Sequence, residues 1–308
     1  MRQAVRPPAV AGQFYPAEPR RLEAEVKGHL ARAVPPRGER PIGLVAPHAG
    51  YVFSGQIAAD AYRQAAGHRY DLVVLLGTNH TAAFFAGVSV FIGSGFRTPL
   101  GVAGVDEAAA AALLAADHDC TSEPHPHERE HSIEVQVPFV QIAFPGVAIL
   151  PVIVGCEEPG LCARFGAALA QVLASRRALI VASSDLSHYP AYEDSAAADR
   201  AVLTAIARLD PDGLRETIAA EERAGRRGLE TCACGVAPLL AAMTASRALG
   251  ATRGTVVSHA GSGDSPLGDH ERVVGYGAVV FSAGPPGADL TALDEPPHAI
   301  HLEPRSRS

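Results

Sequence analysis

Six short apolar runs of strand length, separated by longer stretches with helical spacing, restrict the fold more than any other feature of this chain. The runs are Ile42–Ala46, Leu72–Leu76, Val88–Ile92, Ala148–Val154, Ala178–Ala182 and Val273–Phe281. Helical spacing marks Arg20–Leu30, Gln56–Ala65, Glu107–Ala116, Ser132–Phe144, Leu161–Leu173, Ala197–Leu209 and Val236–Leu249. A strand that is apolar on both faces needs cover on both faces. The alternation therefore predicts an α/β fold of three layers, with a central, largely parallel or mixed sheet covered by helices on both sides. A chain of 308 residues accommodates this as one domain, placed at 1–282. The segment 283–308 holds five Pro in 26 residues and no periodic apolar face, so it is read as a disordered or loosely attached tail. His298 and His301 fall in that tail and receive no catalytic weight.

Charge removes several function classes. Lys and Arg number 26 against 33 Asp and Glu, a net charge of −7. Nucleic-acid binding needs a cationic face, so no nucleic-acid partner is expected. No apolar run approaches a membrane span, and the opening MRQAVRPPAV lacks the apolar core of a secretory signal. Five scattered Cys, an odd number, make no disulfide framework. The expected compartment is the cytoplasm, where any functional Cys acts as a thiol.

The chemistry collects just past the strands. The first run continues as IGLVAPHAGY and puts His48 beyond its end; the second continues as LVVLLGTNH and delivers His80. The fifth, ALIVASSDLSH, delivers Asp185 and His188. In open α/β sheets ligands bind beyond the carboxyl ends of strands. Imidazoles gathered there serve metal ligation or proton transfer. Two His with one anionic ligand is a common catalytic metal seat. Asp185, Glu134 or a Cys are candidates for the third place. Cys234, in TCACGVAPLL, precedes an apolar helix whose N-terminus is expected to lower the thiol pKa. Cys232 is too close to Cys234 for structural-zinc spacing. The segment HPHEREHSIE adds His131 and Glu134, three apart and so on one helical face, serving as a site wall or a helix-capping network. Its other two His and its run Glu128, Arg129, Glu130 read as solvated. Tyr51 and Arg97 are candidates for lining the crevice, as a hydroxyl and a bidentate donor to an anionic group. Each has a structural alternative: a turn role for His48 and His80, loop packing for Tyr51 and Arg97, and simple burial for Cys234.

The chain resembles the MEMO family along nearly its whole length. The resemblance is carried by PAVAGQFYP, APHAGY, LLGTNH, FRTPLG, EHSIEVQVPF, LPVIVG, SSDLSHY and VVGYGAVVF. Prokaryotic members are similar to protein B of the AmmeMemoRadiSam system, and the family's fold is similar to class III extradiol (LigB-type) dioxygenases. The resemblance implies metal ligands at His48, His80 and Cys234, and an acid/base or substrate-facing role for His188 with Asp185 beside it. It implies non-haem Fe(II), with copper second and zinc behind both, and radical-SAM and accessory proteins as partners. A carboxylate holds the third ligand place in LigB-type enzymes; Cys234 takes the matching place here, which changes metal preference and oxygen chemistry.

These readings give a metal-dependent, dioxygenase-like oxidoreductase as the first expectation. His188, Asp185 and His131 are its candidate catalytic groups, and Tyr51, Arg97 and Glu134 its candidate contacts to a small-molecule or peptide substrate. The alternative is a non-enzymatic binding or adaptor protein that holds an anionic peptide or ligand in the same crevice. A zinc hydrolase ranks third, because cysteine serves water activation less well than carboxylate.

Overall fold

The structure is a computed structural model and describes residues 5–300. Its strands are β1 (Val5–Arg6), β2 (Pro41–Ala46), β3 (Leu72–Gly77), β4 (Val88–Val90), β5 (Gly95–Thr98), β6 (Gly101–Gly104), β7 (Cys120–Thr121), β8 (Ala148–Val154), β9 (Ala178–Ser183), β10 (Arg253–Gly261), β11 (Gly275–Ser282) and β12 (Gly287–Asp289). Its helices are α1 (Pro19–Arg32), α2 (Tyr51–Ala65), α3 (Glu107–Ala116), α4 (His125–Glu128), α5 (Val137–Ala143), α6 (Pro159–Leu173), α7 (Tyr192–Ala207), α8 (Pro211–Arg223) and α9 (Val236–Ala248). Nine strands form one mixed sheet in the order β12-β10-β11-β2-β9-β3-β8-β4-β7. Its centre, β2-β9-β3-β8, is parallel, and β11 and β4 close it on either side as antiparallel neighbours. A second, small sheet joins β1, β5 and β6.

The apolar runs are continuous, yet they divide by the two-residue period of a strand. Leu72, Val74 and Leu76 of β3 pack in the core that also holds Phe165, Leu169 and Met243 of α6 and α9. Val73 and Leu75 turn to the opposite core, with Ile57 and Tyr62 of α2 and Phe139 of α5. Each fully buried aliphatic side chain contributes roughly 1.5–3 kcal/mol. The helices start where side chains satisfy free backbone donors: Glu18 accepts from Arg20 N and Arg21 N, and Glu158 from Gly160 N and Leu161 N. No described helix is long and apolar enough to cross a membrane.

Three local expectations change. The predicted helix over 132–144 is a short 3-10 turn, Glu134–Gln136, followed by α5, so His131 lies in the loop between α4 and that turn. Helix α8 and strand β10 lie outside the predicted elements; α8 buries Leu214 and Ile218, four apart on one face, among charged neighbours. The segment after Ser282 is attached where it is described: β12 pairs in parallel with β10, His298 Nδ1 lies 2.6 Å from Asp60 Oδ2, and Ile300 is buried. Residues 301–308, His301 among them, lie outside the described residues.

Candidate metal centre

Strand order turns a pattern in sequence into a place in space. β2, β9 and β3 are adjacent and parallel. The residues that follow them, His48, Asp185 with His188, and His80, therefore emerge side by side at one edge. The His48 and His80 rings meet edge to face with centroids 5.2 Å apart. His131 joins them from the loop before the 3-10 turn, 5.5 Å from His48 and 4.7 Å from His80. Cys234, just ahead of α9, brings its Sγ to 3.1 Å from His48 Nε2. Two donor groups result, each with ligand atoms within 4.8 Å of one another: His48, His80 and His131, and His48, Asp185 and Cys234.

The hydrogen bonds fix which ring nitrogens are free. The Ser183 hydroxyl donates to the Ser132 carbonyl at 2.6 Å and accepts the Gln136 amide at 2.8 Å. Its remaining lone pair accepts the proton of His48 Nδ1 at 3.0 Å, which leaves the His48 Nε2 lone pair facing the thiol. His80 Nδ1 donates to Glu130 Oε1 at 2.9 Å and His188 Nδ1 to the Leu186 carbonyl at 2.9 Å, so each keeps a free Nε2. Neutral imidazole with its other nitrogen held is the form a metal ligand takes. Two such rings, His48 and His80, with a thiol beside His48, fit a transition ion that accepts nitrogen and sulfur.

Burial sets the electrostatics. It holds His48 well below the usual imidazole range, with His80 and His131 acting in the same direction. Burial also lowers His131, and it works against His80, whose pKa is nonetheless raised by the Glu130 carboxylate. Burial would raise Glu130, but its bonds to His80 and to backbone N–H groups prevail and bring it to about 2. The Cys234 thiol is pushed well up by burial and by Asp185, so the lowering expected from the helix N-terminus is overridden.

Several site residues stand elsewhere than expected. Asp185 does not hold His188; its Oδ1 accepts from His48 N at 2.7 Å and Ala49 N at 3.3 Å, tying the ends of β2 and β9 together. Burial is the main cause that raises its pKa. Tyr51 is buried and its hydroxyl donates to the Val135 carbonyl at 2.6 Å, so it has no free hydroxyl for a substrate. Arg97 is exposed on β5 in the small sheet, and not on the nine-stranded sheet whose edge carries the imidazoles. Glu134 diverges from His131: fully buried, it pairs with Arg6 and accepts from Ala9 N, Val10 N and the Tyr15 hydroxyl, anchoring the N-terminal segment. His127 is buried too, with Nε2 3.1 Å from the Ser89 carbonyl oxygen, whereas His125 is exposed. The residue that sequence reasoning missed is Glu130. It sits in a charged run, yet it is 1% exposed and takes hydrogen bonds from His80 N, His131 N and Ser132 N as well as from the His80 ring.

Comparison with known proteins places this geometry. A family model described as Memo-like protein matches residues 6–280. The chain is 36% identical over 296 residues to a MEMO1 family protein of Methanopyrus kandleri, covering 91% of this chain and 99% of that one. It is 38% identical over 279 residues to a MEMO1 family protein of Methanosarcina mazei, with coverage of 90% and 98%. Among solved structures, an uncharacterized protein from Escherichia coli K12 shares the fold with a TM-score of 0.51 at 12% identity, covering 80% of this chain and all (100%) of that one.

Proposed function

The chain belongs to the Memo-like family, and from that premise we propose that it is a metal-dependent oxidoreductase of dioxygenase-like type. What supports this reading is that His48 is shared by two donor groups, its ring 5.2 Å from that of His80 and its Nε2 3.1 Å from Cys234 Sγ, with ring nitrogens left free by specific hydrogen bonds. In this reading His48, His80 and Cys234 hold a non-haem Fe(II). Copper and zinc also accept imidazole and thiolate; iron ranks ahead of them on the resemblance to LigB-type dioxygenases and not on donor affinity. Iron bound there supplies redox chemistry toward dioxygen and an organic substrate.

The chain's own residues do the rest. Ser183 and Gln136 keep His48 in the tautomer that offers Nε2. Glu130 does the same for His80. Asp185 locks the two strand ends at a fixed separation through the His48 and Ala49 amides. His188, with Nδ1 held by the Leu186 carbonyl, offers its free Nε2 as the base that accepts a proton and returns it. The proposed partners are the radical-SAM and accessory proteins of the system that prokaryotic members resemble.

Metal analysis of protein purified without oxygen tests the reading. It expects about one iron per chain by the stoichiometry of a single site, loss of that iron in His48→Ala, and oxygen uptake with an oxidisable substrate. Negligible iron and copper in the wild type, with no difference in His48→Ala, rejects it.

A further inference from the structure

We infer that His131 is a third nitrogen ligand of this centre, completing a seat of three imidazoles with His48 and His80. The inference rests on the metal-centre reading above and adds to it a ligand and the device that aims it.

The device is Glu130. Its Oε1 lies 2.9 Å from His80 Nδ1 and 3.5 Å from His131 Nδ1. The same oxygen takes the His131 backbone N–H at 2.9 Å. One buried carboxylate oxygen thus faces the Nδ1 edges of two rings. Those rings are nearly parallel, 21° apart with centroids separated by 4.7 Å. Parallel rings that turn the same edge to one anion turn their opposite edges, the Nε2 lone pairs, the same way. His48 meets both rings edge-on, at 76° and 84°. One ligand atom from each of the three lies within 4.8 Å of the other two.

His131 is also held as a ligand must be. Its ring stands between His80 and the Phe14 ring, whose centroid is 4.8 Å away. Ligands supported on their far side lose little freedom when a cation arrives. Lone pairs gathered this closely repel one another, and a cation among them replaces repulsion with attraction. His48 has a single free lone pair and serves one cation only, so the group with Asp185 and Cys234 does not form a second independent site. Cys234 approaches the same His48 nitrogen from its own side.

The experiment is X-ray absorption at the iron edge on full-length protein loaded with Fe(II) without oxygen, beside an Fe(II) titration of wild type and His131→Gln. The inference expects outer-shell scattering from three imidazoles in the wild type. It expects two in His131→Gln, with iron affinity lower by about 100-fold or more, since even supporting groups are worth 10–100-fold. The wild-type spectrum decides the ligand count even if the variant folds poorly. Two imidazoles in the wild type, or an unchanged affinity and spectrum in His131→Gln, overturns the inference and leaves the metal-centre reading standing. Failure of the wild type to take up iron overturns both.

Discussion

Glu130 grips His80 twice, accepting its backbone N–H at 2.6 Å and its ring Nδ1–H at 2.9 Å. A strand end and an imidazole are thereby fixed by one buried carboxylate. Removing the charge while keeping the shape isolates that role. Glu130→Gln is expected to lower iron affinity about 10–100-fold, the usual cost of losing a supporting carboxylate. Glu130→Ala also leaves buried donors unpaired, and is expected to cost about 3 kcal/mol in urea unfolding.

Glu134, only four residues on, is expected to behave differently. It neutralises Arg6, which is 4% exposed, and it accepts two backbone amides and a tyrosine hydroxyl. Glu134→Ala strands a buried guanidinium, a loss of about 3–5 kcal/mol. Folded variant protein is expected to lose less iron affinity than Glu130→Gln, because the Glu134 carboxylate makes no hydrogen bond to His48, His80 or His131 and reaches His131 only through its charge and through the segment that carries Phe14. Denaturant unfolding read together with an iron titration separates the two carboxylates.

That contrast shows where the sequence is legible. His48, His80 and the Asp185–His188 pair were readable because each follows an apolar run directly, and such a run ends at one edge of a parallel sheet. The order β2-β9-β3, which makes them neighbours, was not readable, since nothing in LVVLLG or ALIVAS names its partner strand. Glu130 was hidden because a charged run normally faces water; here three backbone amides turned toward its side chain repay the burial. Strand β10 escaped notice because Gly254, Ser258, His259 and Gly261 dilute its apolar residues. The segment after Ser282 looked loose because attachment came from distant pairing, with β10 and with Asp60, and not from local periodicity.

Asp199 gives the fold a pH dependence. It is buried on α7, accepts from Ser187 N at 2.9 Å, and burial pushes its pKa up to about 7. The unfolded chain releases this proton near 3.8, the folded protein near 7. Between those values the folded state binds more protons, so stability falls as pH rises from about 4 to about 7. The full effect is of order 4 kcal/mol. Asp199→Asn keeps an oxygen for Ser187 N and removes the titration. Its unfolding free energy, measured from pH 4 to 8, is expected to lack that component of the slope, and at pH 8 to exceed the wild-type value.

Gly235 couples packing to the thiol. It caps α9 with φ −108°, an ordinary value, so its role is space and not backbone freedom. A Cβ there would lie 2.6 Å from the Ser183 carbonyl oxygen and 2.7 Å from Ser184 Cβ. The oxygen belongs to the end of β9 and cannot rotate away, so the start of α9 has to retreat. Overpacking of this kind costs roughly 1–3 kcal/mol. The retreat carries Cys234, the preceding residue, away from His48 Nε2, which it now approaches to 3.1 Å. Gly235→Ala is therefore expected to lower the melting temperature and to weaken the sulfur-to-metal absorption of Co(II)-loaded protein. Gly250→Ala is the matched control: φ is +98° and nothing lies within 4 Å of its added carbon. That substitution strains only the local backbone, by about 1 kcal/mol or somewhat more. It is expected to leave the absorption intact, because Gly250 follows the far end of α9 from Cys234.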